Sequence, residues 1–194
     1  MLAQINRKDC LKQYPDFPQT NGDDFFFPKV FSSYTFTLQS KSLRGHVKNL
    51  SFELVHFILD LGYDELIFLG DSATAWLYQD NDYKPAKEAL RYLKNQKIGK
   101  RFNGALIIND SDLQEFCKNL FWLTRCNASF PDIYFTDKKQ NILGNICKYG
   151  SLHFYTLNRK TDNAVKKNHT SNFFYSNWQH KLSKLIFKDQ CYTR

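Results

Sequence analysis

A serine or cysteine becomes a working nucleophile only with a base in hydrogen-bonding reach, so the five histidines, His46, His56, His153, His169 and His180, bound the chemistry open to this chain. Ser72 stands in Gly70-Asp71-Ser72 at the end of an apolar run, where a strand end would present its hydroxyl. Cys147 and His153 flank Lys148-Tyr149-Gly150-Ser151, a turn sequence, so a hairpin would set thiol and imidazole near each other. Hairpins do this for any such pair, and a cysteine is commonly only a small buried residue. Glu53 and His56 have the Glu-x-x-His spacing of one half of a carboxylate-bridged metal site, but a second copy is missing, and the pair reads as a surface contact. The five cysteines (Cys10, Cys117, Cys126, Cys147, Cys191) form no CxxC pair, which argues against a zinc or redox motif. No phosphate-binding loop, dinucleotide fingerprint or kinase signature is present. The residues call for no metal and no cofactor, and catalytic residues are not assigned.

Gly70-Asp71-Ser72 resembles the first block of the Gly-Asp-Ser family of esterases and lipases, whose nucleophilic serine is served by the histidine of a C-terminal Asp-x-x-His block. None of the five histidines has an aspartate three residues before it. The stretch Asn103 to Asp110 matches the family's Asn-Asp block only loosely, so a serine hydrolase is the third reading of the chain.

The elements that would position these residues follow from periodicity. Residues 1–36 are dense in aromatics and proline and predict an irregular arm packed on the body, ending in a short strand at 33–39. Ser42 caps a helix whose apolar residues Leu43, Val47, Leu50, Leu54, Ile58 and Leu61 recur at helical spacing up to Gly62. Strands are predicted at 65–69 and, as its neighbour, 73–79; a helix at 86–96; a strand at 105–108. Asp110 or Ser111 caps a third helix with Leu113, Phe116, Leu120 and Leu123 inward. Three antiparallel strands are predicted at 133–136, 141–147 and 152–157, then a polar linker at 158–172 and an amphipathic helix at 176–188. The order predicts an α+β fold: a mixed, mainly antiparallel sheet with three to four helices, and a C-terminal meander followed by a basic tail helix. The division expected is one α+β domain over 1–157, its first 36 residues the arm, and a tail over 158–194.

With 194 residues, 42% hydrophobic and 16% aromatic, the chain has ample material for a core. No apolar run approaches the length of a membrane span, and charges interrupt the first ten residues, which lack a signal-peptide stretch. A cytoplasmic protein with reduced thiols, not inserted in a membrane, is the expectation. Of the net charge of +8, +6 lies in residues 158–194, which carry Arg159, Lys160, Lys166, Lys167, Lys181 and Lys184 among eight basic residues against two aspartates. Cations interleaved with Phe173, Phe174, Tyr175 and Trp178 suit nucleic acid, where cations meet phosphate and rings stack on bases. They also suit a solvated basic helix in a Lys-, Asn- and Phe-rich chain.

Residues 120–135, Leu-Phe-Trp-Leu-Thr-Arg-Cys-Asn-Ala-Ser-Phe-Pro-Asp-Ile-Tyr-Phe, with Ile142-Leu-Gly-Asn-Ile-Cys-Lys-Tyr-Gly-Ser-Leu-His153, resemble small α+β immunity proteins of bacterial toxin–immunity loci, particularly those of contact-dependent growth inhibition. The resemblance covers about 40 residues and implies a protein that occludes one cognate toxin and needs no catalytic group. Its basic charge departs from the acidic pattern of nuclease inhibitors and implies an acidic toxin surface or a target other than a nuclease. Trp122, Arg125, Asn127, Tyr134, Lys148, Tyr149 and His153 are the expected binding residues, because Trp, Tyr and Arg dominate interface energetics. The leading expectation is a non-catalytic protein-binding protein of immunity or antitoxin type. The alternative is a nucleic-acid-binding accessory protein that uses the basic tail.

Overall fold

In the computed structural model, which describes residues 2–21, 24–38, 40–78 and 80–169, the chain is an α+β structure built on one seven-stranded sheet. The elements are β1 (Ala3–Ile5), α1 (Arg7–Gln13), β2 (Gln19–Asn21), β3 (Asp24–Phe26), β4 (Ser32–Phe36), α2 (Leu43–Asp60), β5 (Glu65–Leu69), α3 (Lys84–Asn95), β6 (Ala105–Asn109), α4 (Asp110–Cys126), β7 (Tyr134–Asp137), β8 (Ile142–Ile146), β9 (Leu152–Thr156) and α5 (Arg159–His169). The large sheet runs β1-β6-β5-β7-β8-β9-β4, with every pairing antiparallel; β2 and β3 form a separate hairpin.

Side chains alternate across each strand, so each face of the sheet collects its own core. On one face α2, α3 and α4 cover Leu66, Phe68, Leu106, Phe135 and Phe154, all with no exposed surface. A chain of rings, Phe135 to Phe68 (5.5 Å between centroids) to Phe116 (4.7 Å), ties this face to α4. Burying each such side chain contributes roughly 1.5–3 kcal/mol. On the outer face α1 and the segment after it place Cys10, Tyr14 and Phe17 against Ile67, Leu69, Ala105 and Leu143.

Local chemistry sets the boundaries. The Ser42 hydroxyl accepts the Gly45 N–H at 3.1 Å, as an N-cap should, and α2 ends with the Tyr63 N–H on the Ile58 carbonyl. The β7–β8 turn is built by buried Asp137, whose carboxylate accepts the N–H groups of Lys139, Asn141 and Ile142 and the Asn141 side-chain amide. Arg7 fixes α1 by donating through Nη1 to the carbonyls of Gly70, Asp71 and Asn103.

Several sequence expectations change. Residues 73–79 were expected to pair with β5, yet no strand forms among those described: β6 and β7 occupy both edges of β5. Trp76 is buried instead within a loop, its indole N–H on the Gly104 carbonyl at 2.9 Å. The N-terminal arm is less irregular than expected, since it supplies α1, the β2–β3 hairpin and both edge strands, β1 and β4. The described residues hold five α-helices, one more than the upper count expected. The linker expected over 158–172 is helical over α5. Asn158 caps that helix through its side-chain oxygen on the Thr161 N–H, and Thr161, Asp162 and Val165 turn inward. The Asp162 carboxylate takes the Tyr34 hydroxyl and Lys166 Nζ (2.7 Å). Burial alone would raise its pKa, but these bonds outweigh burial and hold it below the usual carboxylate range. The helix expected at 176–188, with Lys181 and Lys184, lies outside the described residues.

Candidate binding surface on the outer face of the meander

The register of the meander determines which residues meet. Tyr134 on β7, Asn145 on β8, His153 on β9 and Thr35 on β4 stand in one row across four strands. Their neighbours in the strands, Phe135, Gly144, Phe154 and Tyr34, form the adjoining row on the opposite, helix-covered face, so the Tyr134 row belongs to the outer face. Next to it toward the β8–β9 turn lies Cys147, whose backbone N–H donates to the Ser151 carbonyl at 3.0 Å. On the other side Phe27 packs edge-on against Tyr155 (5.2 Å) and Tyr134 (6.3 Å), with Phe25 6.2 Å from it. The result is a partly exposed polar strip between an aromatic flap and a turn.

The turn is held from outside by side chains of several elements. Gly150 has a φ of 86°, which a residue with a Cβ adopts only under strain, and its N–H closes on the Cys147 carbonyl at 2.9 Å. Arg125 at the end of α4 donates through Nη1 to the Lys148 carbonyl. The His46 ring on α2 lies between two carbonyls, Nε2 3.0 Å from Gly150 and Nδ1 3.1 Å from Leu38. Lys148 Nζ reaches the Ala128 carbonyl at 2.9 Å, and Thr37 Oγ1 lies 3.2 Å from Ser151 Oγ. From this braced loop Tyr149 projects with 57% of its surface exposed.

The seven residues expected to bind thus divide. Tyr134, Lys148, Tyr149 and His153 lie on or beside the strip. Arg125 and Lys148 direct their charged ends to backbone carbonyls and act as braces. Trp122 is 9% exposed, with its ring edge-on to Tyr83, and Asn127 is buried, ending α4 and accepting the Ser129 N–H, so neither presents a surface anchor. Of the expected basic residues, Arg159, Lys160, Lys166 and Lys167 lie on the solvent side of α5.

Cys147 and His153 come together as the hairpin reading anticipated. Burial pushes the Cys147 thiol up, but hydrogen bonds from His153 and the backbone N–H groups of Ser151 and Tyr149, with the charge of His153, outweigh it and bring the thiol to about 7. Thr35 Oγ1 stands 3.5 Å from His153 Nδ1. Thr35, Asn145 and His46 were missed in the sequence: the first two join the strip only through strand register, and His46 shows no local sign of its role.

The remaining motifs lie away from this strip. The Asp71 carboxylate accepts the N–H groups of Ala73 and Thr74, making Gly70-Asp71-Ser72 a side-chain-closed turn. His46 and His153 are engaged as above, and the His56 ring lies tilted against Phe52, with 4.1 Å between centroids. Among the described residues no cluster of three or more His, Cys, Asp and Glu is placed to hold a metal, and no helix is long and apolar enough to cross a membrane. Comparison with protein-family models, with curated proteins and with solved structures finds no match for this chain.

Proposed function

We propose that this chain is a non-catalytic binding protein of immunity type, which captures one protein partner, a toxin, on the outer face of the meander with Tyr149 as the anchor. The observation that carries the reading is the exposed Tyr149 on a turn braced by His46, Arg125, Lys148 and Thr37. A partner that meets an aromatic side chain on an already ordered loop loses little further conformational entropy, which is how preorganisation raises affinity. The two segments that carry the resemblance to immunity proteins also meet here, since the end of α4 braces the β8–β9 turn. The test is co-purification with the product of the neighbouring gene, then titration of that complex. Tyr149→Ala is expected to weaken it by about 2 kcal/mol, roughly 30-fold in Kd. Recovery of no partner, with no rescue of cells expressing that gene, would defeat the proposal.

A second reading, a nucleic-acid-binding accessory protein, draws on one observation: Arg159, Lys160, Lys166 and Lys167 all lie exposed on α5. It predicts affinity for RNA or DNA that falls about ten-fold or more between 50 and 200 mM salt, and a shallower salt slope after Arg159→Glu with Lys160→Glu. Binding that ignores salt, or no binding at all, removes it.

A further inference from the structure

α2 carries apolar side chains on two sides. Val47, Leu50, Leu54 and Ile58 turn into the core and are buried. On the opposite side Phe52, His56 and Leu59 follow one another at helical spacing and are exposed, Phe52 to 50% and Leu59 to 42%. The His56 ring lies against Phe52, and the three residues make a stripe about 10 Å long at the usual helical rise. Apolar residues on the outer as well as the inner side are the pattern of a helix covered on both. The described chain ends at one end of this stripe: the Asn168 side-chain amide donates to the carbonyl of Asp60, the residue after Leu59, at 3.0 Å. Residues 170–194 follow, in which Trp178, Leu182, Leu185 and Ile186 fall on one side at helical spacing. The stretch of chain from His169 to Trp178 reaches up to about 30 Å, so every position along the stripe lies within its range. Charge agrees. The segment carries Lys181, Lys184, Lys188 and Arg194 against Asp189, while Glu53 and Asp60 border the stripe and the cations Arg44 and Lys48 lie toward the start of α2.

We propose that residues 170–194 of this same chain dock on the outer side of α2, with Trp178, Leu182 and Leu185 against Phe52, His56 and Leu59. Size favours this occupant over a second copy. A specific interface between separate molecules buries about 1,200 Å² or more, which a stripe of three side chains does not supply. An intramolecular contact needs less, because a short tether holds the segment at an effective concentration in the millimolar range. The contact stands independently of both functional readings above.

The test exposes the full-length chain to hydroxyl radicals at low protein concentration and maps the oxidised side chains by mass. In Trp178→Ala with Leu182→Ala, oxidation of Phe52 and Leu59 is expected to rise at least about five-fold over the unaltered chain, with Phe25 and Tyr149 unchanged. The reciprocal variant, Phe52→Asp, changes an exposed position and leaves the core intact. It is expected to let trypsin cut after Lys181 and Lys184 about ten-fold faster. Oxidation of the stripe at one rate in both chains overturns the proposal, as do trypsin rates that Phe52→Asp leaves alone. Protection of the stripe that develops only as protein concentration rises overturns it too, by assigning the face to a second copy.

Discussion

Gly144→Ala is expected to destabilise the protein by about 3 kcal/mol, and Gly144→Val by more. Gly144 lies mid-strand in β8, paired with Phe135 on β7 and Phe154 on β9. A Cβ built there would meet Phe135 Cζ at 2.0 Å and its two ring neighbours at 2.5 Å. The ring has nowhere to go: Phe135 has no exposed surface and is backed by Phe68, itself against Phe116. The strand must shift or the ring must leave the core, and a tightly packed interior resists both. The measurement is the urea midpoint of Gly144→Ala, Phe135→Ala and the double variant. Phe135→Ala alone should cost about 3–5 kcal/mol through the cavity it leaves. Because the added methyl would fill part of that cavity, the double variant should cost at least about 1 kcal/mol less than the two single losses combined. Additive losses would show that the glycine is not there to admit the ring.

The second large effect concerns α5. A chain ending at 157 is expected to lose at least about 3 kcal/mol relative to one ending at 169, a comparison that isolates the helix. Val165 is wholly buried, so deleting it forfeits about 1.5–3 kcal/mol of apolar burial and uncovers the core it packs on. Removing Asp162 also takes the carboxylate acceptor from the Tyr34 hydroxyl, and the loss of that charge-assisted bond adds about 1.5 kcal/mol or more. Tyr63, whose hydroxyl lies 3.5 Å from Thr161 Oγ1, and the Asp60 carbonyl that accepts from Asn168, lose partners as well. Thermal melts of the two chains decide the matter, and equal midpoints would mean that α5 is dispensable. The result bears on the nucleic-acid reading too, because loss of binding on cutting at 157 would confound charge with folding. Exchange of surface charges on α5 avoids that.

What the sequence disclosed and what it concealed differ in scale. The helix from Ser42 and the three strands of the meander are legible because each is long or local enough to carry its own period and its own turn. β1 and the β2–β3 pair, three residues a strand, are too short for a period to register. α5 was hidden for another reason: two of its three inward residues, Thr161 and Asp162, are polar, so its buried side does not read as apolar. Within the site, Tyr149 and His153 stand out by type. Thr35 does not, since it belongs beside His153 only once a strand 118 residues earlier in the chain has paired with β9. Trp122 and Asn127 misled because an aromatic or amide that suits an interface suits a core or a helix end equally well.

The pairing of β4 with β9 also sets a schedule for synthesis. With elongation at about 5–20 residues per second, roughly 6–24 s separate the emergence of Thr35 from that of His153. For that interval Tyr34 and Phe36 are on a finished stretch of chain whose sheet does not yet exist. β1 meets the same delay in shorter form, waiting for β6. The nascent N-terminal segment, with Phe25, Phe26, Phe27 and Phe31 close by, is therefore the part of this protein with most need of a chaperone on the ribosome.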